Sequence, residues 1–155
     1  MKINRGTLSI NSPAFEHGRR MPDDQSTNGK GTSPALAWTG VPDGTRSYAL
    51  VAHDPDAPLI DGFTHWVLYN IPATVTSLPE GGGAEHTQGT NSRGAAGWTP
   101  AAPPPGHGTH CYYFHLYALD AELDLREGLS MAELLPTIDP HVINQARVVG
   151  TYSND

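Results

Sequence analysis

The sequence predicts a fold dominated by β-structure, on three observations. Gly and Pro are abundant, with 17 and 14 copies in 155 residues, and such a chain makes many turns and long loops rather than a helix bundle. Three runs, Ser47–His53, His65–Asn70 and His110–Leu119, are apolar and aromatic in the manner of buried strands. Helix start signals are confined to the C-terminal part, after Leu129.

Taken in chain order, Thr7–Ile10 and Leu36–Trp38 read as short strands in a loop-rich N-terminal third. Ser47–His53 (SYALVAH) is apolar on both alternations, which predicts a strand covered on both faces. It runs into Asp54-Pro55-Asp56-Ala57-Pro58, where two prolines end ladder pairing and force a turn. His65–Asn70 is the next strand and stops at Ile71-Pro72. About forty residues poor in bulky apolar side chains then precede His110, and a connection of that length inside a compact domain is functional or disordered. His110–Leu119 is β-favouring throughout and closes at Asp120. Ser130 and Glu133 form a capping-box pattern for a first helix that Pro136 is expected to end. Asp139-Pro140 supplies a second helix start leading to His141–Arg147, and Val148–Tyr152 reads as a last short strand. No repeat or boundary interrupts the chain, so one domain over residues 1–155 is expected, large enough to bury roughly 68–70% of its unfolded surface.

Charge and cysteine content narrow the function classes. The net charge is −7, and nine Lys and Arg residues are scattered, so no basic patch for nucleic acid or an anionic membrane can be read. Any anion must be captured by a local site. Cys111 is alone, which rules out an intramolecular disulfide and leaves no oxidising-compartment signature. The opening MKINRGTLSINSPAF has no apolar run of signal-peptide length, and nowhere are 18 apolar residues consecutive. A cytoplasmic location is the expectation.

Candidate chemistry gathers at strand ends. Asp54 and Asp56 are either turn carboxylates accepting backbone hydrogen bonds or a rigid pair able to orient imidazoles. His65 opens its strand, with Val67 and Tyr69 expected on the same face. Alternation places His110 and Tyr112 on one face with Phe114, Leu116 and Ala118, so that the two polar groups lie where the core opens to a pocket mouth, and turns Cys111 to the opposite face. Before them, Pro103-Pro104-Pro105 is either a stiff linker or a pocket rim, and Gly106 and Gly108 would permit close approach by a ligand.

Four blocks in order, SPALAW (33–38), DPDAP (54–58), FTHWVLYNIP (63–72) and PPPGHGTHCYYFHLYALD (103–120), resemble the phosphatidylethanolamine-binding protein family, above all its bacterial, Raf-kinase-inhibitor-like branch. The similarity runs from about Phe15 to Tyr152. It implies a β-sandwich of two antiparallel sheets with Greek-key connections, short helices near the C-terminus, and a pocket for phosphate, acetate or a phospholipid head group. By position, it implies ligand-binding roles for Asp54, Asp56, Pro58, His65, Pro104, His110 and Tyr112, with no catalysis and no cofactor; Gly106 joins them from the loop reading above. A kinase or protease partner belongs to some members only. The chain departs from the family at Cys111, where many members carry Arg, at the rim Gly97–Ala102, and at His53, where Asp is common.

These readings give a tuned anion binder. A carboxylate that accepts from an imidazole Nδ1–H raises the ring's pKa, so His65 or His110 would present a donor or a charge to the anion, with Tyr112 and the glycine loop adding donors. Two other classes remain open. One is a metal hydrolase with Asp54, Asp56, His65 and His110 as ligands, although no compact metal motif supports it. The other is an interaction protein in which the odd face, Tyr113, His115, Tyr117 and Leu119, meets a second copy; packing against the second sheet is the expected fate of that face.

Overall fold

Alternating burial along the long strands divides the molecule into layers. The computed structural model describes residues 6–154, so Met1–Arg5, the head of the stretch read for an apolar leader, and Asp155 lie outside it. The strands are β1 (Ser9–Asn11), β2 (Arg19–Arg20), β3 (Leu36–Thr39), β4 (Ser47–Asp54), β5 (Phe63–Pro72), β6 (Ser77–Leu78), β7 (Thr87–Gln88), β8 (His110–Leu119) and β9 (Val142–Tyr152), with helix α1 (Met131–Ile138) before β9. Six strands form one sheet in the order β2-β9-β8-β4-β5-β7, and β1-β3-β6 form the other. Pairing is antiparallel except between the two-residue β2 and β9, which run parallel. After β5 the chain visits β6 in the smaller sheet, returns as β7 beside β5, and then crosses to β8 on the far side of β4, the crossover of a Greek-key connection.

The six-stranded sheet is the middle layer. On one face Leu50, Ala52, Leu68, Phe114 and Leu116 pack against Ile10, Leu36, Trp38 and Leu78 of the smaller sheet. On the other, Val51, Val67, Tyr69 and Leu119 meet Leu134 and Ile138 of α1 and Leu129 before it. β4 is covered on both sides, as its unbroken apolar run predicts. The odd face of β8 does not meet the second sheet. The even positions do, and the pleat leaves Tyr117 and Leu119 against the α1 layer and Tyr113 and His115 stacked half-buried near Arg147.

Two helix expectations need correction. Pro136 lies inside α1 rather than ending it: it forgoes one backbone bond, but its fixed φ suits the helix, which Ser130 and Glu133 cap as a complete capping box. Residues 142–147 are strand rather than helix. Asp139-Pro140 yields one 3-10 turn over Asp139–His141, and the chain then enters β9, paired with β8 from Val142 opposite Leu119 to Tyr152 opposite His110. That long ladder and alternating burial outweigh a local cap signal.

Candidate functional site

Asp54, the last residue of β4, is 2% exposed and has both carboxylate oxygens engaged. Oδ1 accepts the backbone N–H of Asp56 at 2.8 Å, which closes the turn. Oδ2 lies 2.7 Å from Nδ1 of His110, the buried first residue of β8. A carboxylate only accepts, so His110 carries its proton on Nδ1. Its Nε2 stands 2.7 Å from Nδ1 of His107. With the His110 proton fixed inward, Nε2 accepts and His107 Nδ1–H donates. A chain of hydrogen bonds therefore runs from the buried Asp54 through His110 to the exposed His107.

The loop after Asp54 is fixed at both ends. Asp56 Oδ2 accepts the backbone N–H of Cys111 at 2.8 Å, tying the loop to β8. Gly62 closes it at φ +66°, where a Cβ would stand 2.4 Å from the Asp54 carbonyl oxygen. Only glycine fits there.

His65 reaches the site through a β-bulge. β4 and β5 pair Val51 with Val67 and Ala52 with Trp66, but His53 with Thr64, so His65 is the extra residue. The bulge turns its side chain away from the face of Val67 and Tyr69, where simple alternation places it. It packs instead against the rings of Phe63, Trp98 and Tyr112, with centroids 4.7, 5.5 and 5.1 Å away. Its Nδ1–H donates to the Thr99 carbonyl oxygen at 2.7 Å. No carboxylate holds it, and burial lowers its pKa from the ordinary 6.5 to about 4, which overturns the expectation of a raised value for this ring. His65 is thus neutral near pH 7, with Nε2 as an acceptor. Burial, and then the charge of Asp54, push the Tyr112 pKa up, so its hydroxyl remains protonated.

Asp54, Pro58, His65, Pro104, His110 and Tyr112 line one cavity of about 400 Å³. Asp56 and Gly106 do not line it. Gly106, at φ +73°, serves a turn in which the His107 N–H donates to the Pro104 carbonyl oxygen at 3.1 Å. Cys111 is off the cavity wall, and burial followed by the Asp56 charge raises its thiol pKa.

Arg93 also stands on the wall and was not foreseen. Its loop is anchored by Asn91 Oδ1, which accepts the N–H groups of Arg93 and Ala95, and by the Ser92 N–H, which donates to the Thr64 carbonyl oxygen. The guanidinium makes no ion pair among the described residues. A signal was present: Arg93 is the only Lys or Arg between Arg46 and Arg126. His107 was equally unforeseen, although its spacing from His110 across Gly108 is plain. At the rim, Leu59 is 58% exposed and on the wall, and Ile60 beside it is 101% exposed. Among the described residues no three His, Cys, Asp or Glu side chains gather in a metal-holding arrangement, and Asp56 turns its Oδ2 to the Cys111 N–H.

Comparison with known proteins agrees with this architecture. The family model for phosphatidylethanolamine-binding protein matches residues 11–153. The UPF0098 protein of Methanothermobacter thermautotrophicus is 38% identical over 151 residues, covering 94% of this chain and 98% of its own. A crystal structure from Chlamydia trachomatis, described as a phosphatidylethanolamine-binding protein homologue, superposes with TM-score 0.91 at 38% identity, covering 97% of this chain and 99% of that one. Escherichia coli YbcL, described as a member of the mammalian family of that name, gives TM-score 0.89 at 33% identity, covering 97% and 100%.

Proposed function

Because the chain belongs to the phosphatidylethanolamine-binding protein family, we propose that its cavity binds a phosphate-like anion, free or as a phospholipid head group, without turning it over. One observation carries this: Arg93, which has no ion pair among the described residues, and Tyr112 line the same cavity as the Asp54-oriented His110. Arg93 supplies the charge and Tyr112 a neutral donor. The carboxylate of Asp54 orients His110, and with both oxygens engaged by N–H donors it leaves the ligand to Arg93 and Tyr112. His65 Nε2, an acceptor, suits a hydrogen-bond donor on the ligand, either P–O–H or an ammonium group. Pro58, Leu59 and Phe63 offer an apolar side to the substituent of a phosphoester, and the protruding Ile60 extends it outward.

His65 is neutral near pH 7 and adds no charge. Sulfate, whose own charge is constant, is the cleanest probe. Calorimetric titration near neutral pH is expected to show saturable binding. No binding contradicts the proposal.

A further inference from the structure

The hydrogen-bond chain from Asp54 to His107 has a geometry that reversible binding does not require. A nucleophile within hydrogen-bond reach of a base, with the base oriented by a third group, is the arrangement that activates side chains for covalent chemistry. Here the outer member is His107, exposed at the rim, the base is His110, and the orienting group is the buried Asp54 carboxylate, with both links at 2.7 Å. Nε2 of His107 has no hydrogen-bond partner among the described residues, and the residue is exposed and bonded to His110, which lines the cavity. Other histidines differ. His17 uses an Nδ1 lone pair to accept the Val149 N–H, and His141 meets the carboxylate of Asp120 on the surface with no second imidazole behind it.

We propose that His107 is a phosphoryl acceptor, taking the group on Nε2 from an activated small phosphate of the acyl phosphate class. The inference rests on the anion cavity for holding the donor beside the rim. In the step, the Nε2 lone pair forms an N–P bond while the P–O bond to the acyl group breaks. The carboxylate leaves with the electron pair and needs no proton. The imidazole then carries a positive charge, and its Nδ1 proton passes to Nε2 of His110. That imidazolium is held by Asp54. The buried carboxylate thus has a task that anion binding alone does not assign to it: receiving the charge that His107 sheds.

The test incubates the full chain with acetyl phosphate near neutral pH and maps acid-labile phosphate by mass spectrometry under non-acidic conditions. His107 is expected to label on the order of a hundredfold faster than His17 in the same molecules, the gain expected of a positioned base. His107→Ala is expected to lose the fast label, and Asp54→Asn to slow labelling. Label spread evenly over His17, His107 and His141 overturns the inference. Sulfate binding with no label on His107 overturns it too, while leaving the anion cavity standing. Absence of sulfate binding removes the cavity and the held donor together.

Discussion

Burial of His65 makes acid a direct threat to the fold. Its pKa is about 4 in the folded chain against about 6.5 unfolded, so between those values the unfolded state binds more protons. The stability tied to neutral His65 is complete above about pH 6.5 and is lost as the pH falls towards 4, by about 2–3 kcal/mol. His115, also lowered to about 4 by burial and then Arg147, adds to the same slope. Urea denaturation at about pH 7 and about pH 4.5 is expected to show a smaller acid loss for His65→Asn than for the parent chain, and equal losses contradict this cause. Arg93 bears on binding instead. Arg93→Ala removes an exposed side chain without an ion pair among the described residues, so the fold should hold while sulfate affinity falls about tenfold, and unchanged affinity in calorimetry places the anion elsewhere. Asp54, His110 and Tyr112 were legible because alternation along a long strand fixes which face a residue occupies. The setting of His65 was not, since a bulge is a property of pairing between strands. Arg93 and His107 sit on loops whose paths depend on distant backbone bonds, Ser92 to Thr64 and Gly106 to Asn154.

Bulge, loop and cap each hold a piece of the site or its support. Gly62→Ala forces a side chain at positive φ against the Asp54 carbonyl, and should cost about 2 kcal/mol or more in urea denaturation and weaken sulfate binding by shifting Asp54 from His110. A variant with both properties intact contradicts the role given to that turn. Ser130→Ala breaks the capping box and should cost about 1 kcal/mol without touching sulfate affinity, because α1 covers the face of the sheet opposite the smaller sheet. Equal stability to the parent contradicts the cap assignment. β4 and β8 could be read from sequence because ten or fewer residues carried an unbroken pattern. β2, β6 and β7 could not, since two residues hold no period. β9 was misread because its start imitates a helix cap while its pairing with β8 lies in no local signal.

The molecule as a whole carries net charge −7 and yet presents an anion site, which the layers make consistent. Strand ends from β4, β5 and β8 meet at one cavity, and a loop delivers the one Lys or Arg of the segment from Ser47 to Leu125 to its wall. Local placement thereby prevails over the general field, which is repulsive and screened by salt beyond about 10 Å. No helix among the described residues is long and apolar enough to cross a membrane. The sandwich itself was legible chiefly through the four blocks shared with a known family, while composition alone reached only a β-rich fold. The most direct test is a crystal structure with phosphoethanolamine at saturating concentration. Phosphorus density in the cavity, with oxygens in hydrogen-bond reach of Arg93 and Tyr112, is the predicted result, and a cavity holding water alone would contradict the account.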